Sequence, residues 1–186
     1  MTGACFNCGI VGHNKSDCPE PVKVQTCKLC GSEAHRALEC KSRRIVNWIG
    51  VPELSPENAW VALVNGAKEK DIDAFRIALK AYARALDDQF DIQAVEKALR
   101  DDELPLYLIA KKQELAVNMT VVDLIGNPDR EFVLTIQTSA KPRRVKMKEG
   151  WPDSPEQNFE RLASCGIVQD RGVPLCSNCG GRPNMS

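Results

Sequence analysis

Six of the nine cysteines in this 186-residue chain, and both of its histidines, fall within the first 40 residues. They form two copies of one pattern. Cys5, Cys8, His13 and Cys18 are separated by two, four and four residues, and Cys27, Cys30, His35 and Cys40 repeat that spacing without a slip. A disulfide scaffold explains this poorly, because it gives the histidines no role and the chain opens without the features of a secretory signal. A redox C-x-x-C would open a helix within a βαβ pattern, which is absent here. Three thiolates and one imidazole do satisfy tetrahedral Zn²⁺, which takes soft sulfur and borderline nitrogen ligands. Gly9 and Gly12 permit the tight turns that bring His13 to the C-x-x-C pair. A segment of ~14 residues has almost no core, so metal binding must supply most of its folding energy. Two zinc ions are expected.

The run Cys5-Phe6-Asn7-Cys8-Gly9-Ile10-Val11-Gly12-His13, closing at Cys18, resembles the CCHC zinc knuckle of retroviral nucleocapsids and cellular nucleic-acid-binding proteins. The resemblance implies binding of single-stranded RNA or DNA, with bases stacking on side chains that the knuckle presents. Carried over by position, it makes Phe6 the stacking platform, Ile10 its apolar neighbour and Lys15 a phosphate contact. The second copy departs from the pattern. Lys28 and Leu29 stand where Phe6 and Asn7 do in the first, and Ala34 replaces the glycine before the histidine. Its contacts are expected to be electrostatic, through Lys28, Arg36, Lys41, Arg43 and Arg44, or to be with protein. Each loaded site sums to about −1, so two sites reduce the +3 of residues 1–44 to about +1. Phosphate contact alone is then weak, and stacking must carry much of the binding. Pro19 and Pro21 stiffen the short linker between the copies, which keeps two modules close enough to share a strand.

Charge is zero overall but unevenly spread. Residues 45–139 carry 10 basic and 16 acidic groups, whereas residues 140–186 carry 8 and 5. The acidic middle reads as a globular domain. Ser55-Pro56-Glu57 is a helix start, and Trp60, Leu63, Val64 and Ala67 then share a face. A second amphipathic helix opens near Asp71 with Ile72, Phe75, Leu79, Tyr82 and Leu86, and a third spans about Ile92 to Leu99. Segments Leu106–Ala110, Thr120–Ile125 and Glu131–Thr138 have strand composition, and the turn signal Gly126-Asn127-Pro128-Asp129 between the last two predicts an antiparallel hairpin. The fold class expected is α+β: two small N-terminal knuckles at 5–18 and 27–40, then a helical and β-hairpin domain at 45–139. A basic linker at 140–153 and a short C-terminal helix within 154–186 complete it.

No histidine lies outside the two copies, and no phosphate loop or nucleophile elbow appears, so nothing points to catalysis. The acidic run Asp101-Asp102-Glu103 reads as a solvated helix end. Lys141 to Lys148 holds five basic residues in eight, a nuclear-import signal, a phosphate-binding strip or a solubilising linker. Ser154-Pro155-Glu156-Gln157 starts a short helix with Phe159 and Leu162 on its apolar face. Cys176 and Cys179 begin an incomplete metal site, read as a truncated knuckle or as half of a zinc site shared with another chain; adding Cys165 still gives only three ligands. The run Gly150 to Leu162, followed by Asp170-Arg171-Gly172-Val173-Pro174 and the C-x-x-C at 176–179, resembles filamentous-fungal zinc-knuckle proteins labelled splicing or transcription factors. The setting expected is intracellular, the nucleus before the cytoplasm, with no membrane segment. The function expected is zinc-dependent, non-catalytic binding of single-stranded nucleic acid, RNA before DNA. Its rival is a protein-interaction adaptor that docks a partner at residues 45–139.

Overall fold

A computed structural model describes residues 3–22 and 26–171. The incomplete metal site at Cys176 and Cys179 lies outside the described residues. The chain divides into two compact units, residues 1–40 and 41–186. Among the described residues, no helix is long and apolar enough to cross a membrane.

In the first unit, two loops hold the Cys/His groups, each with a 3-10 turn between its histidine and its last cysteine, Lys15–Asp17 and Ala37–Glu39. The second unit is α+β. Helices α1 (Pro56–Glu69), α2 (Ile72–Leu86) and α3 (Ile92–Asp101) precede strands β1 (Tyr107–Lys111), β2 (Met119–Val122) and β3 (Phe132–Gln137), and α4 (Pro155–Leu162) leads into β4 (Cys165–Asp170). Each α-helix starts where a side-chain oxygen satisfies a backbone N–H that would otherwise lack a partner. Ser55 Oγ accepts from Asn58 N at 3.3 Å, Asp71 from Ala74 N at 3.0 Å, Asp91 from Gln93 N at 2.8 Å and Ser154 Oγ from Gln157 N at 3.1 Å. The apolar faces meet in a main core, where Leu63, Phe75, Leu79, Leu99, Leu106, Leu108 and Leu162 are fully buried, and a smaller cluster gathers Val51, Ala59 and Ala81. Trp60, Tyr82 and Phe90 form an aromatic ladder beside it, with centroids 5.3 and 6.3 Å apart.

The expected hairpin does not form. The sheet is mixed, in the order β1-β3-β4-β2, with β4 parallel to β3 and antiparallel to β2. Strand β4 therefore separates β2 from β3, whose remaining link is the bridge Val121↔Arg130. Gly166 makes the insertion possible, because a Cβ there would lie 2.2 Å from the Val122 carbonyl oxygen. The turn after β2 is held by Asp123, whose carboxylate accepts from Ile125 N at 3.1 Å and Asn127 N at 2.8 Å. The segment expected as a separate C-terminal helix thus packs into the same unit as the helices and strands.

Side chains from the helices cap the outer edge of β1. Asn158 accepts from Ala110 N and donates to the Leu108 carbonyl, both at 2.9 Å, and Glu96 accepts from Leu108 N at 2.9 Å. The unpaired backbone groups of an edge strand are thereby satisfied and closed to a second chain.

Candidate zinc centres and nucleic-acid interface

The two N-terminal loops share one backbone design. Cys5 N donates to the Ile10 carbonyl at 2.9 Å and Gly9 N to the Cys5 carbonyl at 2.8 Å; Cys27 N donates to Ser32 and Gly31 N to Cys27, both at 2.7 Å. Gly9 and Gly31 take φ of 81° and 76°, a left-handed turn that costs glycine nothing. Each turn brings its two cysteine sulfurs together and carries the chain round to the histidine. Ala34 stands in the second loop where the first has Gly12 at φ 119°, and it reaches His35 without a positive φ.

The ligand atoms of Cys5, Cys8, His13 and Cys18 lie within 4.8 Å of one another, as do those of Cys27, Cys30, His35 and Cys40. Both histidines present Nε2, 3.3 Å from Cys8 Sγ and 3.4 Å from Cys30 Sγ. Cys5, Cys27 and Cys40 are buried, although these short loops have almost no apolar interior. Two closed Cys₃His sets of this size fit two zinc ions, because structural zinc takes four such ligands at about 2.0–2.3 Å.

Asn7 was not singled out in the sequence and is the most engaged polar residue of the first loop. It is buried, and its Nδ2 donates to Cys18 Sγ at 3.3 Å and to the Glu20 and Pro21 carbonyls at 3.1 Å. This amide donation, helped by His13, brings the Cys18 thiol down to about 6, which favours the thiolate form that zinc takes. In the second loop Leu29 occupies the corresponding place, and burial pushes the Cys27 thiol up. The neighbouring Cys40 sulfur raises His35.

Residues 3–20 match the family model of the zinc knuckle. The first loop is a zinc knuckle. Over 61 residues the chain is 39% identical to the intracisternal A-particle Gag-related polyprotein of mouse intracisternal A-particle MIA14. That stretch takes in 31% of this chain and 7% of the polyprotein. No solved structure matches the chain. The second Cys/His group has the geometry of a CCHC knuckle too, and knuckles belong to the modules that recognise nucleic acid.

The first knuckle presents an apolar face: Phe6 is 97% exposed, Ile10 61% and Val11 67%. Lys15 is exposed beside it in sequence, and Lys28, Arg36 and Lys41 are exposed as well. Arg43 and Arg44 are placed differently from the sequence expectation, because the second unit uses both. Arg43 pairs with Asp87 and Asp88 and donates to the Ile125 carbonyl. Arg44 is buried, and its N–H donates to the Gly126 carbonyl at 2.6 Å. Cys165 packs in the hydrophobic core, where burial pushes its thiol up to about 12, so it stays a neutral thiol.

Proposed function

We propose that the protein binds single-stranded nucleic acid, RNA in preference to DNA, through its zinc-loaded first knuckle and without catalysing a reaction. The observation that carries this reading is the Phe6 ring, 97% exposed on a loop whose folding the metal supplies. An aromatic ring left in water has no packing role, and it offers an unpaired base a stacking partner. Ile10 and Val11 extend the face, and Lys15, Lys28, Arg36 and Lys41 supply phosphate contacts. Because each loaded site carries about −1, these contacts are few and stacking decides the affinity. The second knuckle lacks an aromatic residue and contributes charge and proximity on the same strand.

A fluorescence titration of the zinc-loaded chain with a short mixed-sequence RNA, at two salt concentrations and again after chelation, tests the reading. Binding is expected to weaken with salt and to fall when zinc is removed. Phe6→Ala should cost about 1–3 kcal/mol of binding while both ions stay bound. Unchanged affinity in that variant, with zinc retained, would remove the stacking role. The same titration with DNA of matching sequence checks the RNA preference. A second reading, protein docking on the second unit, is favoured by exposed Ile45, Ile49 and Val61 on its acidic stretch, residues 45–139. It predicts a partner that survives nuclease treatment.

A further inference from the structure

The second unit carries a groove of about 500 Å³ that neither the knuckles nor the core accounts for. Its walls include Tyr107 and Ile109 of β1, Trp151, Pro155, Phe159 of α4, and Lys141. Phe159 and Leu162 were expected to share the apolar face of a short helix. Leu162 is fully buried, but Phe159 is 40% exposed and faces this groove. The Arg100 guanidinium stacks on the Tyr107 ring with 3.6 Å to its centroid, so the groove floor already holds one planar cation against an aromatic face.

The basic run is part of the same feature. Lys141 and Pro142 line the groove, and so do Trp151 to Pro155, so residues 143–150 join two segments of its lining. Lys141, Arg143, Arg144, Lys146 and Lys148 are all exposed, and none has an ion-pair partner among the described residues. A row of cations with no ion pair among the described residues thus begins on the groove at Lys141 and continues along the segment that joins two parts of its lining. Single-stranded nucleic acid has the complementary chemistry: a flat heteroaromatic group for the groove and a phosphate chain for the cations. An acidic peptide would satisfy the cations, but it has less use for aromatic walls beside a stacked guanidinium.

We infer that this groove and the basic run that joins two of its lining segments form a second, zinc-independent contact for single-stranded nucleic acid, with a base held against Phe159 and Tyr107 and phosphates on Lys141, Arg144, Lys146 and Lys148. The inference rests on the reading of the protein as a nucleic-acid binder, but not on the knuckles being the site.

The test uses the full chain, zinc-loaded and chelated, with a mixed-sequence RNA carrying 4-thiouridine, photo-crosslinked and mapped by mass spectrometry. Crosslinks at Tyr107 or Phe159 are expected in both states. The chelated chain should keep a salt-sensitive affinity that Phe159→Ala lowers about tenfold. Phe159 is partly exposed and Lys146 and Lys148 are exposed, so Phe159→Ala and the pair Lys146→Glu, Lys148→Glu leave the core intact. Crosslinks confined to residues 3–40 would overturn the groove while leaving the knuckle reading standing. Groove crosslinks that persist when Phe6→Ala has no effect would support the groove and overturn the knuckle as the principal site. Crosslinks on 141–148 alone, with Phe159→Ala silent, would reduce the feature to a non-specific cation strip and overturn the base pocket. Displacement of the RNA from the chelated chain by an acidic, aromatic-containing peptide at lower concentration than competing RNA would assign the groove to protein.

Discussion

At the scale of single residues, the first knuckle is set apart by side chains that are not ligands. Asn7 ties Cys18 to the chain beyond it, and its amide donates to the sulfur that zinc must capture. Groups that hydrogen-bond a ligand commonly tune metal affinity by roughly 10–100-fold. Asn7→Leu places in the first knuckle the residue that the second already has at Leu29, so the loop should still close. The expected result is zinc affinity at the first site lowered by about tenfold, read by competition with a chromophoric chelator, with the second site unchanged. Equal affinity at both sites before and after the change would show that the amide only positions the chain. The eight ligands were legible from spacing alone, because a Cys₃His set is closed within a short stretch of chain. Asn7 was not, because an asparagine between two cysteines carries no distinguishing pattern until its partners at Glu20 and Pro21 are seen. Arg43 shows the converse. Its nearness in sequence to the second knuckle suggested phosphate contact, yet its guanidinium is engaged with Asp87, Asp88 and the Ile125 carbonyl. Arg43→Ala should leave RNA affinity unchanged and lower the stability of the second unit by about 1 kcal/mol, since the pairs are largely exposed. A salt-sensitive loss of binding in that variant, with an unchanged melt, would return Arg43 to the interface.

Among the elements, what was readable and what was not divides by range in sequence. Helices α1 to α4 announced themselves because their signals are local: a serine cap before proline for α1 and α4, and apolar spacing for α2 and α3, whose caps Asp71 and Asp91 the structure adds. The pairing of the strands did not, because β4 enters the sheet from more than forty residues beyond β2. The turn signal after β2 is real, but a turn does not dictate that its flanking strands pair with each other. The buried Glu96 was equally hidden. It sits on a helix whose spacing predicts apolar contact, and it serves instead as an acceptor for the edge strand β1 and an ion pair for Arg100 at 2.9 Å. Burial pushes its carboxyl above the usual glutamate range, against the lowering pull of the Leu108 N–H and Arg100. A carboxyl raised in the folded state stabilises the fold fully below its unfolded pKa, and that contribution is lost as pH rises through the folded value. Glu96→Gln keeps an acceptor for Leu108 N and removes the charge. As pH rises above the ordinary glutamate value of about 4.3, the wild type should therefore lose more stability than the variant, measured as the denaturant midpoint at each pH. Parallel curves would mean that Arg100 fully compensates the buried charge.

On the scale of the whole molecule, the two units draw their stability from different sources. Residues 1–40 bury little besides Cys5, Asn7, Cys27 and Cys40, whereas both hydrophobic clusters of the second unit are built from Val51 onward. Metal should therefore be folding energy for one unit and irrelevant to the other. The chain provides its own reporter, because all three tryptophans, Trp48, Trp60 and Trp151, belong to the second unit. On heating the full chain with and without a zinc chelator, the tryptophan transition should fall at the same temperature, while the amide resonances of residues 3–22 and 26–40 should collapse to unfolded positions on chelation alone. A ligand that binds only the folded form of one unit raises the stability of that unit, and reaches another only through an interaction between them. Coincident tryptophan melts would establish that the knuckles and the globular unit are thermodynamically independent modules, so that any gain in RNA affinity from having both is a matter of effective concentration on a shared strand. A tryptophan transition that drops on chelation would instead show a stabilising contact between the units, and the loss of RNA binding without zinc would then no longer locate the site in the knuckles.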